Sequence, residues 1–496
     1  MSANATEYLQ AAKDLREGID RDWRMLIGGE LTGSLSGERA AVFDPATGEQ
    51  VTTIPRGDEA DANRAIDAAL AAFPAWAARA ITDRAAHLHR LADAIEEAGE
   101  ELAWIDTIDN GSPIAVMRGD YRIAVEHLRY FAGLALQLRG ESIPVDQRDA
   151  VDFSVRAPFG VVGRIVPFNH PFMFAASRIA APLLAGNTVV LKPAEATSLS
   201  ALRLGEIAAG IFPPGVLNIV SGPGRTVGDT IVRHPEVRRL AFTGSGEVGR
   251  SIQAQAASAS VKVVTLELGG KNPMIVFPDA DFEEAIQGAI RGMNFAWQGQ
   301  SCGSTSRLYV HRSIYRQFVE ELGRRLDLMG MGDPLDEKTE VGPVVSRAQY
   351  EKVTSYFHSG IDDGLELIAG GLPDPAQPGN FIRPTLFAAE NEQSRLFSEE
   401  IFGPVLVATC FDDYDEIIAR ANALPLGLTA SVWTKDLATA LKASRDIETG
   451  YVWVNWSSSH IPGASFGGVK DSGIGREEGL GELESFTQSK NIYIRF

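Results

Sequence analysis

Apolar residues recur along this chain in two rhythms. Ala85, Leu88, Leu91 and Ile95 follow Thr82-Asp-Arg84 at intervals of three and four, the spacing that lines one face of a helix, and Asp58-Glu-Ala-Asp-Ala62 opens an Ala-rich stretch of the same kind. Both predict amphipathic helices lying on a larger body. Ahead of them, residues 1–55 read as short strand-like pieces and turns, with Asp44-Pro-Ala-Thr-Gly48 the clearest turn. The period drops to two within 135–157, where Val151, Phe153 and Val155 alternate with Asp152, Ser154 and Arg156, and again at Asn491-Ile-Tyr-Ile-Arg-Phe496. Two alternating segments so far apart are either partners in a small antiparallel sheet, suited to an oligomerisation arm, or unrelated edge strands.

Between these ends the texture is α/β. Val161–Val166, Thr188–Leu191, Val216–Val220 and Arg239–Phe242 read as short buried strands separated by helical segments, the pattern of a doubly wound parallel sheet. Three turns at the carboxyl ends of these strands carry polar chemistry: Pro167-Phe-Asn169-His-Pro171, Lys192-Pro-Ala-Glu195 and Thr243-Gly-Ser-Gly-Glu-Val-Gly249. Residues 261–277 read as strand, a Glu267-Leu-Gly-Gly-Lys271 break, and strand again. A second α/β half follows over 305–470, with helices at 312–328 and 347–359 and strands at 401–411 and 451–455. No internal repeat or low-complexity linker interrupts it.

A chain of 496 residues with 45% apolar residues has room for several cores, and its net charge of −19 opposes the clustered Lys and Arg that nucleic acid requires. No apolar run approaches the roughly 20 residues of a membrane helix, and the first residues lack a charged and apolar leader, so a cytoplasmic chain with neither nucleic-acid nor membrane partner is expected. The eight histidines are scattered, with His87 and His89 on different faces of a predicted helix, and no metal site is expected. Two cysteines exclude a disulfide framework.

Those two cysteines sit in contrasting places. Cys410 lies in the apolar run Pro404–Phe411, where a thiol fills space. Cys302 lies in Gln298-Gly-Gln-Ser-Cys-Gly-Ser304, a polar, Gly-rich turn that packs poorly, exposes backbone N–H groups and lets a substrate approach sulfur. The Gly244-x-Gly246-x-x-Gly249 spacing after a strand and before a helix is either a diphosphate cradle or a tight turn with close packing, and the Lys192 and Glu195 pair favours the cradle. Glu267, beside a Gly pair in apolar surroundings, is either a paired structural carboxylate or one raised in pKa for base work.

Taken in order, Pro167-Phe-Asn169, Lys192-Pro-Ala-Glu195, Phe242-Thr-Gly-Ser245, Leu266-Glu-Leu-Gly-Gly-Lys271, Gly299-Gln-Ser-Cys302, Glu400-Ile-Phe-Gly-Pro404 and Phe466-Gly-Gly-x-Lys-x-Ser-Gly resemble the NAD(P)-dependent aldehyde dehydrogenase superfamily of hydrolytic, non-CoA-acylating type over nearly the whole chain. The Leu-Glu-Leu-Gly-Gly-Lys and Gly-Gln-x-Cys motifs are the specific ones. The resemblance implies an α/β chain with a Rossmann-like NAD-binding domain (1–134 and 156–267), an α/β catalytic domain (268–474) and a small antiparallel bridging arm (135–155 and 475–496), assembled as a homodimer or homotetramer. It implies Cys302 as nucleophile, Glu267 as general base and Asn169 with the Cys302 backbone N–H as oxyanion hole. Ile165, Val166, Pro167, Phe168, Lys192, Glu195, Gly224, Gly228, Ser245, Val248, Leu268, Gln349, Lys352, Glu400 and Phe402 are implied to contact NAD, with Glu195 favouring NAD over NADP.

Substrate-lining positions depart from the commonest pattern of that family. Arg178 stands where Lys is frequent, His170 and Ser177 where bulky aromatics are frequent, Ser459 and His460 belong to a polar entrance loop, and Phe466 is a further lining position. Arginines common in enzymes of semialdehyde carboxylates are absent at Ala296 and Ser177, so a neutral or weakly polar aldehyde of moderate size is expected. Two rivals are weighed: a CoA-acylating relative, which would not need Glu267, and a non-catalytic binding or structural protein, which would need none of Cys302, Asn169 and Glu267.

Overall fold

In the computed structural model, which describes residues 3–374 and 376–496, the strands form three larger sheets and two two-stranded pairings, Arg39–Phe43 with Gln50–Pro55 and Leu426–Gly427 with Val469–Lys470. The first runs in the order Glu30–Thr32, Met25–Ile27, Leu217–Ile219, Thr188–Lys192, Val161–Ile165, Val237–Thr243, Val263–Glu267, Gly473–Ile474. Its five central strands are parallel, and the order reverses between Val161–Ile165 and Val237–Thr243, the switch point where a doubly wound sheet opens a crevice at its carboxyl edge. Valines and isoleucines at these positions are buried on both faces, so the strands read as continuous apolar runs.

The second sheet orders Glu366–Ala369, Thr385–Ala388, Val405–Phe411, Arg307–His311, Pro273–Val276, Thr429–Trp433 and Tyr451–Val454, antiparallel only at its first pairing. The third is the small sheet anticipated from the period-two segments: Thr487–Arg495 pairs antiparallel with Ala150–Pro158 over nine residues, bringing Asn491 opposite Ser154, and Ser142–Ile143 closes the other side.

Four helices, Glu59–Ala77, Ile81–Glu97, Gly99–Asn110 and Ile114–Gly133, cover the first sheet's neighbourhood. The predicted start of the first holds: Asp58 is its N-cap, accepting from the Ala60 and Asp61 backbone N–H groups. Ala85, Leu88, Leu91 and Ile95 of the second are buried as their spacing requires.

One expectation is corrected. Residues 1–55 do not hold only strands and turns, because Ala3–Gly18 is a helix; Met1 and Ser2 lie outside the described residues. Its anchor is tertiary: the Arg16 guanidinium bonds Asp44 at 2.6 Å and Asp333 at 2.9 Å, partners that no local pattern announces.

Candidate active site

The segment Glu267–Pro273 leaves the carboxyl edge of the first sheet and enters the amino edge of the second, so the two edges face each other across it. Glu267 closes its strand in register with Thr243 on one side and Gly473 on the other. At the far end of the crossing, the Asn272 amide donates to the carbonyl oxygens of Cys302 at 2.7 Å and Ser304 at 3.0 Å. The turn before Cys302 is fixed from both domains' elements: Gln298 accepts from Ser112 and from the Gln300 amide, and Gln300 accepts from the Val345 backbone N–H. Held this way the Cys302 backbone N–H has no acceptor among the described residues. Rigid support of a loop that carries a thiol is what catalysis by positioning needs.

A cavity of about 160 Å³ opens onto Cys302. Its walls come from the Ile114–Gly133 helix, from His170 and the Pro171–Ser177 helix behind it, from Glu267, and from the 458–466 loop. His170, Ser177, Arg178, His460 and Phe466 all line it; on the entrance loop Ser458 faces the cavity, while the Ser459 carbonyl accepts from the Trp453 indole. Asn169 is buried beside His170, and its Oδ1 has no hydrogen-bond partner among the described residues.

Charge at this wall is unevenly compensated. Burial, with Glu477 adding repulsion, raises the Glu267 carboxyl well above the usual range, and neither of its oxygens has a hydrogen-bond partner among the described residues. Burial also pushes the Cys302 thiol up to about 12, with Glu400, Glu267 and Glu478 acting in the same direction, although the residue keeps partial access to solvent. Glu477 and Glu478, in contrast, are tied to cations. The Arg164 guanidinium donates to Glu477 at 2.5 Å, Arg178 lies 3.2 Å from Glu477 and donates to Glu478 at 3.1 Å, and His460 Nδ1 lies 3.0 Å from Glu478.

The residues implied to hold NAD gather behind Cys302 and along the first sheet's carboxyl edge. Glu400 is half-buried with Gly270 N–H as its partner at 3.0 Å, and desolvation raises its carboxyl to about 6. A side chain at Gly269 would place its Cβ 2.0 Å from Glu400 Oε2, which explains the glycine in Leu-Gly-Gly-Lys. Phe402 packs edge-on against Phe168 at 5.5 Å, and the Gln349 amide donates to the Phe402 carbonyl at 2.6 Å; Lys352 lies close enough to Glu400 to feel its charge.

At the other end, Val166 N–H donates to the Lys192 carbonyl, and Ile165 closes its strand ahead of Pro167. The Lys192 ammonium is buried, donates to the Pro193 carbonyl and is lowered to about 8 by burial against the pull of Glu195. Gly228 lies against its aliphatic stem, and Gly224 is exposed. Ser245 caps the Gly246–Ala259 helix by accepting from Val248 N–H, both residues exposed, while Leu268 packs on Gly249.

A dinucleotide fits this donor set. An open helix N-terminus suits a diphosphate, and two carboxylates with unused acceptor capacity, Glu195 exposed and Glu400 half-buried, suit ribose hydroxyls.

The model of the aldehyde dehydrogenase family matches residues 32–492. This chain belongs to the aldehyde dehydrogenase family. Among relatives, a phenylacetaldehyde dehydrogenase of Pseudomonas fluorescens is 43% identical over 97% of both chains. Among solved structures, an aldehyde dehydrogenase of Bacillus cereus in complex with NAD+ is 37% identical, with a TM-score of 0.93 over 100% of this chain and 99% of that one. An indole-3-acetaldehyde dehydrogenase of P. syringae, solved with NAD+ and IAA, is 36% identical, with a TM-score of 0.95 over 99% of each.

Sequence reasoning about this family member passed over several residues of the site. Asp120 and His127 on the Ile114–Gly133 helix, and Glu477 and Glu478 ahead of the Leu480–Ser485 helix, all line the cavity. The only signal available was the seven-residue step from Asp120 to His127, which puts both on one helical face. Nothing local marks the glutamates, whose cationic partners lie about 300 residues away in sequence.

Proposed function

We propose that this aldehyde dehydrogenase oxidises aldehydes to carboxylic acids with NAD+ through covalent catalysis at Cys302. The observation that carries the reading is the meeting of an accessible cysteine and an unpaired, buried carboxylate, Glu267, at one cavity. Cys302 as thiolate adds to the aldehyde carbon, and its backbone N–H with the free amide of Asn169 holds the developing oxyanion, each donor worth about 3 kcal/mol in the transition state. NAD+, when bound, supplies the hydride acceptor. Glu267 then takes a proton from water that attacks the thioester, releasing acid and freeing Cys302. A raised pKa makes the Glu267 carboxylate a stronger base toward that water than an ordinary carboxylate.

Glu195 supports NAD+ over NADP+, because its carboxylate repels a ribose phosphate; a higher kcat/KM with NADP+ would contradict this. For assembly, the Thr487–Arg495 strand is the open edge of the small sheet and bears the exposed Tyr493, Ile494 and Phe496 near exposed Val151. That apolar edge supports a homo-oligomer, to be checked by light scattering. Among the described residues no helix is long and apolar enough to cross a membrane.

The deciding experiment is aldehyde-dependent NADH formation with the intact enzyme and with Cys302→Ala. Activity in the first and its loss in the second is the expected result. Turnover in the variant would remove the covalent mechanism, and CoA-dependent product formation would favour the acylating rival.

A further inference from the structure

Within the cavity, one carboxylate plays no part in the chemistry derived above. Asp120 sits on the Ile114–Gly133 helix with 1% exposure, and its two oxygens are used unequally. Oδ2 lies 2.8 Å from His170 Nδ1, which fixes the imidazole with its proton on that nitrogen. Oδ1 has no hydrogen-bond partner among the described residues. A buried carboxylate oxygen left unpaired costs free energy unless a donor arrives, so its natural partner is a molecule in the cavity.

The surroundings narrow the donor. His170 packs at 5.2 Å on Trp297 and 5.7 Å on Phe174, and Met173 and Phe466 continue an apolar wall. One free acceptor oxygen matches a group with one proton to give. An ammonium would bring three donors to that one free oxygen beside the aromatic wall, and of the cavity's other carboxylates Glu477 and Glu478 are already engaged by Arg164, Arg178 and His460, which leaves Glu126 and Glu267.

We propose that Asp120 is a specificity residue that selects aldehydes bearing a hydroxyl group remote from the carbonyl, by accepting that hydroxyl's hydrogen bond at Oδ1. This deepens the aldehyde-oxidation reading and rests on it for the turnover assay only. A site built to bind a hydroxyl discriminates against the analogue lacking it because its own polar group is then stranded. For one charge-assisted hydrogen bond the preference is about 10- to 100-fold.

The test compares phenylacetaldehyde with its 3-hydroxy and 4-hydroxy derivatives, alongside 4-aminobutanal, in the intact enzyme and in Asp120→Asn. That variant keeps the size and an oxygen for His170 while presenting an NH₂ to the cavity. The expected result is a kcat/KM for at least one hydroxylated substrate about 10-fold or more above the parent, a ratio that falls to near one in Asp120→Asn. Equal kcat/KM values in the wild type, an unchanged ratio in the variant, or a preference for 4-aminobutanal overturns the proposal. Calorimetric titration with 2-(4-hydroxyphenyl)ethanol, 2-(3-hydroxyphenyl)ethanol and 2-phenylethanol reads the same contact without turnover. Tighter binding of a hydroxylated alcohol that disappears in Asp120→Asn upholds the proposal even if no aldehyde is oxidised, a result that would remove the aldehyde-oxidation reading alone. Equal binding of all three alcohols, in an enzyme that does oxidise aldehydes, would remove the Asp120 assignment alone.

Discussion

Glu267, at the end of the Val263–Glu267 strand, and Glu477, just before the Leu480–Ser485 helix, share one buried wall and feel each other's charge, yet they are opposites. Burial acts on both. At Glu477 it is overcome by Arg164 and Arg178, and the carboxyl is held below its ordinary value; at Glu267 Arg178, Arg476 and Arg164 act only from a distance, with no hydrogen bond or ion pair to it among the described residues, and burial with the charge of Glu477 drives the carboxyl up. The same desolvation thus yields a structural anion where partners are supplied and a proton-binding group where they are withheld. The glycine of the final loop adds to the second outcome: at Gly467, φ is +153° and a Cβ would lie 2.6 Å from Glu267 Oε1, so bare backbone passes over the carboxylate without giving it a partner.

Removing the unpaired member has the largest expected effect. Glu267→Gln is expected to lower steady turnover by roughly 10²–10⁴ while still allowing about one NADH per active site, with acyl-enzyme accumulating. Mass spectrometry of rapidly quenched samples should find the acyl group on Cys302, and NADH without that adduct would break the contrast drawn here. If Glu267 held ribose instead, NAD+ affinity would fall and turnover at saturation would be spared.

Removing the paired member acts on stability. Glu477→Gln takes the carboxylate partner from buried Arg164 and one of several from Arg178, and is expected to cost about 3 kcal/mol or more, measurable as a lower urea midpoint. Glu267→Gln, which replaces an unpaired buried carboxyl by a neutral group of the same shape, should stay within about 1 kcal/mol of wild type. A larger loss from Glu267→Gln than from Glu477→Gln would reverse the assignment.

Acidity sharpens the comparison with the smallest effects. Because Glu267 is raised, its base form is scarce near the ordinary carboxylate range, so turnover should climb as pH rises above that range and flatten in Glu267→Gln. The stability supplied by the paired glutamates also rises with pH. Glu478, which burial would raise but His460 and Arg178 hold at about 2 against the usual 4.5, contributes stability that is present above 4.5 and lost as pH falls through about 2. Glu477 acts in the same sense, whereas the raised carboxyl of Glu267 favours the fold at low pH and loses that contribution as pH rises through its folded value. Acid titration by circular dichroism of wild type and His460→Gln should show an earlier loss of structure in the variant; identical curves would mean that His460 does not hold Glu478.

Much was legible in the chain because it is encoded locally. Alternation and three-to-four spacing reflect backbone geometry that a few residues impose on themselves, so the parallel strands and the amphipathic helices could be read directly, while the pairing of the two alternating segments was left open by pattern and is decided by the fold. Cys302, Glu267 and Asn169 stood out as a set through contiguous motifs, in which glycines record close backbone approach: Gly269 against Glu400 is a case the structure makes explicit. The helix at Ala3–Gly18 escaped because its anchor, Arg16 between Asp44 and Asp333, lies in distant sequence. Asp120 escaped as a cavity wall because one face of a helix says nothing about what it confronts. Whether Glu267 was a paired structural carboxylate or an unpaired one was left open by sequence, and only the fold answers it. Protonation depends on which cations arrive within a few ångströms in a desolvated space, and Arg164 reaches Glu477 across 313 residues of chain while leaving Glu267 without a partner.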